Sequence, residues 1–107
     1  MTRQVKLTRS AVKDLRVIYE YFLGKVSESF ASEMLESLRN TLASLDQQVH
    51  RGVVPSEMQV TGNRSYRQVF CKPFRIVYRI EPKVIYVVMI VDQRRDLRSA
   101  LIRRQLL

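Results

Sequence analysis

The hydrophobic period changes once along this 107-residue chain, and that change dictates the fold class. Up to about residue 50, apolar residues recur every three or four positions, the repeat of a helix with one buried face. From residue 66 they recur every second position, the repeat of a strand. Val12, Leu15, Tyr19, Phe22 and Val26 form a first helical stripe. Ala31, Leu35, Leu38, Leu42, Leu45 and Val49 form a second, reaching about residue 50. Gly24 supplies a stop and Ser27 a new cap, so the stripes predict an antiparallel helical hairpin. Ahead of it, Val5 and Leu7 alternate with Gln4, Lys6 and Thr8 as a short strand, and Thr8 or Ser10 offers the first N-cap.

Residues 51–64 carry Gly52, Pro55 and Gly62 and read as a polar loop. Residues 66–70 then form one strand, and Phe74, Ile76, Tyr78 and Ile80 line one face of the next. Residues 84–91 are eight uninterrupted apolar residues, the pattern of a strand covered on both faces and interior to its sheet. Tight turns at Cys71-Lys72-Pro73 and Glu81-Pro82-Lys83 make the three strands an antiparallel meander. Leu97, Ala100 and Leu101 give a short closing helix, for which Asp92 is a candidate cap. The order β-α-α-β-β-β-α predicts an α+β fold of two layers, with the helical hairpin packed on a mainly antiparallel sheet and residues 1–107 as one domain.

Charge is distributed unevenly. Residues 1–63 hold eight basic and seven acidic side chains, whereas residues 64–107 hold eleven basic and three acidic, a net of +8 out of the total +9. Nine of those eleven are arginine, which favours planar anionic partners such as phosphate or carboxylate. Arg75 and Arg79 alternate with the apolar residues of their strand, so they are expected to project from the sheet face opposite the hairpin. With Arg67 beside them and Arg94 and Arg95 at the rim, that face would be a shallow basic surface in water, suited to nucleic acid or an acidic protein.

Several chemistries lack their residues. One histidine, His50, and one cysteine, Cys71, give no metal-ligand cluster, internal disulfide or nucleophile–base pair. His50 reads as a helix-end residue and Cys71 as a loop thiol. Glu20, Glu28, Glu33 and Glu36 lie on helix faces without a paired-carboxylate arrangement. No cofactor is expected. There is no apolar run of membrane-spanning length and no signal-like N-terminal stretch, so no membrane partner is expected and the expected location is the cytoplasm.

Three motifs carry a family resemblance. The first helix reads Ala11-Val12-Lys13-Asp14-Leu15-Arg16-Val17-Ile18-Tyr19-Glu20-Tyr21, similar to an Ala-x-x-Asp-Leu-x-x-Ile-x-x-Tyr pattern. Tyr66-Arg67-Gln68-Val69-Phe70 and then Phe74-Arg75-Ile76-Val77-Tyr78-Arg79-Ile80 resemble a block of the YR…YRIVYRI type. Val91-Asp92-Gln93-Arg94-Arg95-Asp96-Leu97 resembles a strand ending of the V-x-x-x-RRD-L type. Together they resemble the RelE/ParE superfamily of bacterial type II toxins, over nearly the whole chain.

The resemblance implies one of two activities and one certain kind of partner. RelE-like members are ribosome-dependent mRNA endonucleases; ParE-like members poison DNA gyrase; both are neutralised by a cognate antitoxin. Matched by motif, Arg75 and Arg95 fall on two arginine positions of the nucleases, and Arg67 on one of their basic positions, while Val69 takes the other. The nucleases' terminal tyrosine position falls near Leu101, and no tyrosine follows Tyr86. Arginine stabilises phosphorane charge but does not shuttle protons near neutral pH, so Tyr66 or Tyr78 would have to serve as acid or base. The expectation is therefore a ParE-like gyrase inhibitor, with Arg75, Arg79, Arg94, Arg95, Arg98, Arg103 and Arg104 as target-binding residues and no catalytic ones. The alternative is an mRNA endonuclease clamping phosphate with Arg67, Arg75 and Arg95. The implied antitoxin would bring an acidic segment to this basic chain, with the hairpin groove and a sheet edge as candidate seats.

Overall fold

Thr8 starts the first helix: its hydroxyl accepts the Ala11 N–H at 3.2 Å. In the computed structural model, which describes residues 3–47, 52–59 and 65–106, that helix, α1, runs Arg9–Lys25. Ser27 caps α2 (Glu28–Ala43) by accepting the Phe30 N–H at 3.1 Å, and Glu28 places an acid at the positive helix end. The two helices pack as the expected hairpin. Two details differ from the sequence expectation. The buried line of α1 is Ala11, Leu15, Ile18 and Phe22, while Val12 and Val26 are 52% and 57% exposed. Ala11 is small enough to bring the helix start against the sheet, which rotates the buried face one position. And α2 stops at Ala43, where the Ser44 hydroxyl donates to the Thr41 carbonyl at 2.7 Å. Leu45 is nonetheless fully buried, because the turn after the helix keeps it pointing inward. Val49 and His50 lie outside the described residues.

The strands are β1 (Gln4–Leu7), β2 (Tyr66–Cys71), β3 (Phe74–Ile80) and β4 (Val84–Asp92), in spatial order β1-β4-β3-β2. β2, β3 and β4 form the antiparallel meander, and β1 pairs parallel with residues 84–87 of β4. The long apolar strand is thus interior, as its composition requires. The stretch read as a polar loop contains a helical turn, α3 (Ser56–Gln59), whose Met58 is buried. It also holds Val53, which bridges to Gln68 at the β2 edge. The closing helix is α4 (Leu97–Arg103). Its cap is Asp96, which accepts the Ser99 N–H at 3.3 Å and the Ser99 hydroxyl at 2.7 Å; Asp92 instead ends β4.

Two apolar clusters flank the sheet. Ala11, Leu38, Leu42 and Leu45 of the hairpin side meet Phe74, Ile76, Tyr78, Ile85, Val87 and Ile90. On the other face Met58, Leu97, Ala100 and Leu101 meet Val77, Met89 and Val91. The expectation of a second face open to water is therefore corrected. Leaving Val77, Met89 and Val91 in solvent would forfeit about 1.5–3 kcal/mol per side chain, and α4 with Met58 recovers it.

The cover depends on one irregularity. Val77 pairs with Met89 but Tyr78 pairs with Val87, so Val88 is an extra residue, a β-bulge. β1 ends opposite Val87, beyond which β4 has no strand neighbour on that side. Two side chains finish the edge. Asp14 of α1 accepts the Ile90 N–H at 2.9 Å, and Arg104 donates to the Val88 carbonyl at 3.0 Å. Arg104 also grips both oxygens of Asp14, at 2.9 Å and 2.5 Å.

Candidate target-binding surface

The turn from β4 into α4 carries the most exposed arginines. Asp92 holds the turn: it accepts the Arg94 N–H at 2.8 Å and, through both oxygens, the Arg94 guanidinium at 3.1 Å. These bonds hold the Asp92 carboxyl below the usual carboxylate range and raise the Arg94 guanidinium. Arg94 still projects, its side chain 83% exposed. The Arg95 N–H donates to the Asp92 carbonyl at 3.0 Å, which leaves its side chain outward. Arg98 and Arg103 stand on the outer face of α4, opposite Leu97, Ala100 and Leu101. Among the described residues, Arg95, Arg98 and Arg103 have no ion-pair partner within 4.0 Å.

The remaining arginines are placed differently. Arg75 is only 19% exposed and lies under this turn, donating to the Gln93 carbonyl at 3.3 Å and the Gln68 amide oxygen at 3.4 Å. Glu57 of α3 pairs with it at 3.5 Å. Arg79 lies further along β3, bonded to Glu81 at 2.8 Å with its guanidinium 5.2 Å from the centre of the Tyr86 ring. Its pKa is raised, first by Tyr66 opposite it on β2 and then by Glu81, against the lowering effect of burial. Arg104 is turned inward onto Asp14, so it holds the fold together where a surface contact was expected. Arg67 pairs across from Tyr78, on the hairpin face, whereas Arg75 pairs across from Phe70 and Val91 on the other. The sheet's pleat thus separates Arg67 from Arg75, and the expectation of one shared face is corrected. Tyr78 is fully buried, its hydroxyl accepting the Gly52 N–H at 3.2 Å, and Tyr66 is buried beside Arg79. Leu101 sits in the apolar cluster under α4. No group of three or more metal-ligating side chains exists among the described residues.

Family comparison settles what such a fold belongs to. Residues 5–97 match the family model of the ParE toxin of type II toxin–antitoxin systems, parDE. The chain belongs to the ParE toxin family. It is the toxin component of a type II toxin–antitoxin system, and that system type implies an antitoxin partner. The chain is similar in fold to the chromosomal ParDE toxin–antitoxin system of P. aeruginosa, with a TM-score of 0.72 at 23% identity, over 85% of this chain and 96% of that one. It is also similar to the E. coli DinJ-YafQ toxin–antitoxin complex, with a TM-score of 0.55 at 11% identity, over 86% of this chain and 93% of that one. No curated protein sequence matches.

In this ParE-family chain an open cleft of about 550 Å³ lies apart from the arginine turn. Asn40 and Thr41 of α2 and Ser44 just past its end face Val53, Gln68 and Phe70 across it. It joins the two seats left open by the sequence, the hairpin side and a sheet edge. Sequence reading missed Asp14 and Glu57 as arginine partners. Asp14 gave a signal: it is a carboxylate one turn from both Ala11 and Ile18, on the buried flank of α1, where an unpaired charge is costly. Glu57 gave none, because nothing local ties residue 57 to residue 75. Within the described residues no helix is long and apolar enough to cross a membrane.

Proposed function

We propose that this ParE-family toxin inhibits DNA gyrase by docking on it, with Arg94, Arg95, Arg98 and Arg103 as the contact surface and Arg75 supporting the turn from beneath. The observation that carries this reading is the sorting of arginines. Those needed for a nuclease clamp are divided, Arg67 on one sheet face and Arg75 on the other, and Arg75 is already engaged by Glu57. The tyrosines that would have supplied protons are buried. What projects is a short arm of cations, which suits recognition of an acidic or phosphate-bearing surface without chemistry. The family resemblance supports gyrase as that surface and the cytoplasm as the place of action. Arg79 and Arg104 are not in the proposed contact set, because Glu81, Tyr86 and Asp14 occupy them. The antitoxin is expected to present an acidic segment to this +9 chain.

The test is a supercoiling and cleavage assay with purified gyrase, ATP and plasmid, titrating the folded toxin. Loss of supercoiling or accumulation of linear plasmid is the expected result. No effect at micromolar toxin, together with codon-positioned mRNA cleavage on ribosomes, would replace the gyrase reading with the nuclease one.

A further inference from the structure

The bond between Asp14 and Arg104 joins residues ninety positions apart and crosses the sheet edge, from the hairpin layer to the end of α4. We infer that Asp14 and Arg104 are positioning residues: they lock the C-terminal end of α4 and so fix the cationic arm on which target recognition depends. The inference rests on the target-binding reading of that arm.

Three observations converge on it. First, the pair does what a strand would do. The Val88 bulge and the early end of β1 leave the Val88 carbonyl and the Ile90 N–H facing outward, and Arg104 and Asp14 take one each. Because each side chain binds both its partner and the backbone, neither can turn away without unpairing the other two groups. Second, α4 is short, and besides Arg104 its far end has Leu106, half-buried against the same apolar cluster with its N–H on the Leu101 carbonyl at 2.8 Å. The helix has seven residues, and its inward contacts come from Leu97, Ala100 and Leu101. Asp96 fixes its start by capping Ser99. Beyond Leu101 come exposed Ile102 and Arg103, and then Arg104. Third, the arm is continuous with what is locked. Arg94 and Arg95 precede α4 directly, and Arg98 and Arg103 ride on it. With its end released, α4 would pivot about Leu97, and Arg103 would lose its fixed place relative to Arg94.

The experiment compares Asp14→Asn, Arg104→Gln and Arg104→Lys with the wild type, each at a temperature where circular dichroism shows it folded. Amide exchange is read at Ala100 and Arg104, which donate within α4, and at Val77 and Met89 in the sheet. Growth arrest on induction is read beside gyrase inhibition. The expected result is exchange about tenfold faster or more in α4 with the sheet amides unchanged, the mark of local opening. Both functional readouts should fall by a similar factor, and Arg104→Lys, which keeps one ion pair, should recover part of each. Equal acceleration in α4 and sheet would overturn the inference, since the pair would then be a general stabiliser. Faster α4 exchange with undiminished growth arrest would overturn it too. A wild type that arrests growth without affecting gyrase counts against gyrase as target, and the exchange and growth readouts still decide the lock.

Discussion

Gly52 occupies a place that fits no side chain, and replacing it with alanine is the sharpest test of how the β2 edge is built. A Cβ there would stand 2.6 Å from the Gln68 carbonyl oxygen and 2.6 Å from the Tyr78 hydroxyl. Ordinary contact begins near 3.4 Å, so the backbone would have to retreat by about 0.8 Å. It is pinned by three hydrogen bonds: Gly52 N–H to Tyr78 at 3.2 Å, Val53 N–H to Gln68 at 3.1 Å, and Gln68 N–H to Val53 at 2.7 Å. Tyr78 is wholly buried and has no room to swing aside. Losing two of the three bonds at about 1 kcal/mol each, or keeping them under an overpacking strain of about 1–3 kcal/mol, gives a destabilisation of about 1–3 kcal/mol. For a domain of this size that is a Tm lower by roughly 4–24 °C. Thermal unfolding followed by circular dichroism measures it. Adding Tyr78→Phe removes one of the two obstructing atoms, so the double variant should lose less than the sum of the singles, by about 1 kcal/mol. A Gly52→Ala protein melting within 2 °C of wild type, or a strictly additive double variant, would refute the argument.

Other perturbations separate the roles of single residues. Reversing the arm with Arg94→Glu and Arg95→Glu should abolish gyrase inhibition and lower the denaturation midpoint only slightly, through loss of the exposed Arg94–Asp92 pair; supercoiling and chemical denaturation assays read the two effects. Leu38→Ala, at a fully buried α2 position, should cost about 2–5 kcal/mol, whereas Arg39→Ala beside it should cost almost nothing, as urea midpoints will show. Asp96→Ala should lower the unfolding midpoint through loss of the α4 cap, and Asp96→Asn should restore most of it. Bonds from Ser99 hold the Asp96 carboxyl below the usual carboxylate range, so its stabilising effect is full above that range and disappears as pH falls through the lowered value. In wild-type protein the Ser99 amide should therefore lose exchange protection on acidification below about pH 4, and Asp96→Asn should remove that dependence.

What the sequence made legible follows from which signals are local. The change of period placed the hairpin and the meander, because side-chain direction repeats every 3.6 or every two residues and needs no knowledge of the partner. The same pattern misread the end of α2: Leu45 keeps the spacing, but a turn that points it inward is indistinguishable from another helical turn. Residues 84–91 and the alternation of Arg75 and Arg79 made opposite demands on the second sheet face, one for cover and one for water. Cover won, since long arginine side chains carry their charge to the rim over an apolar floor, as Arg79 does across Tyr86. The Val88 bulge was invisible, because Val87, Val88 and Met89 are all apolar and either register buries them. With the bulge hidden, the need for Asp14 and Arg104 was hidden too.

That history changes the meaning of the +8 in residues 64–107. A count of arginines suggests one broad basic patch, but each of these side chains answers to the nearest carboxylate that another element supplies. Arg75 has Glu57 from α3, and Arg104 has Asp14 from α1; both are drawn into the protein by partners remote in sequence. Arg79 finds Glu81 at the end of its own strand. The acids of the turn and of the α4 start are Asp92 and Asp96, and both are committed to backbone geometry, one to the turn and one to the helix cap. Their remaining capacity serves Arg94 and Ser99, which leaves Arg95, Arg98 and Arg103 outward. The fold therefore gathers four arginines of this segment, Arg94, Arg95, Arg98 and Arg103, on one short arm. On the proposed reading of that arm, the carboxylates that neutralise the other arginines are as much a part of target selection as the arginines that remain.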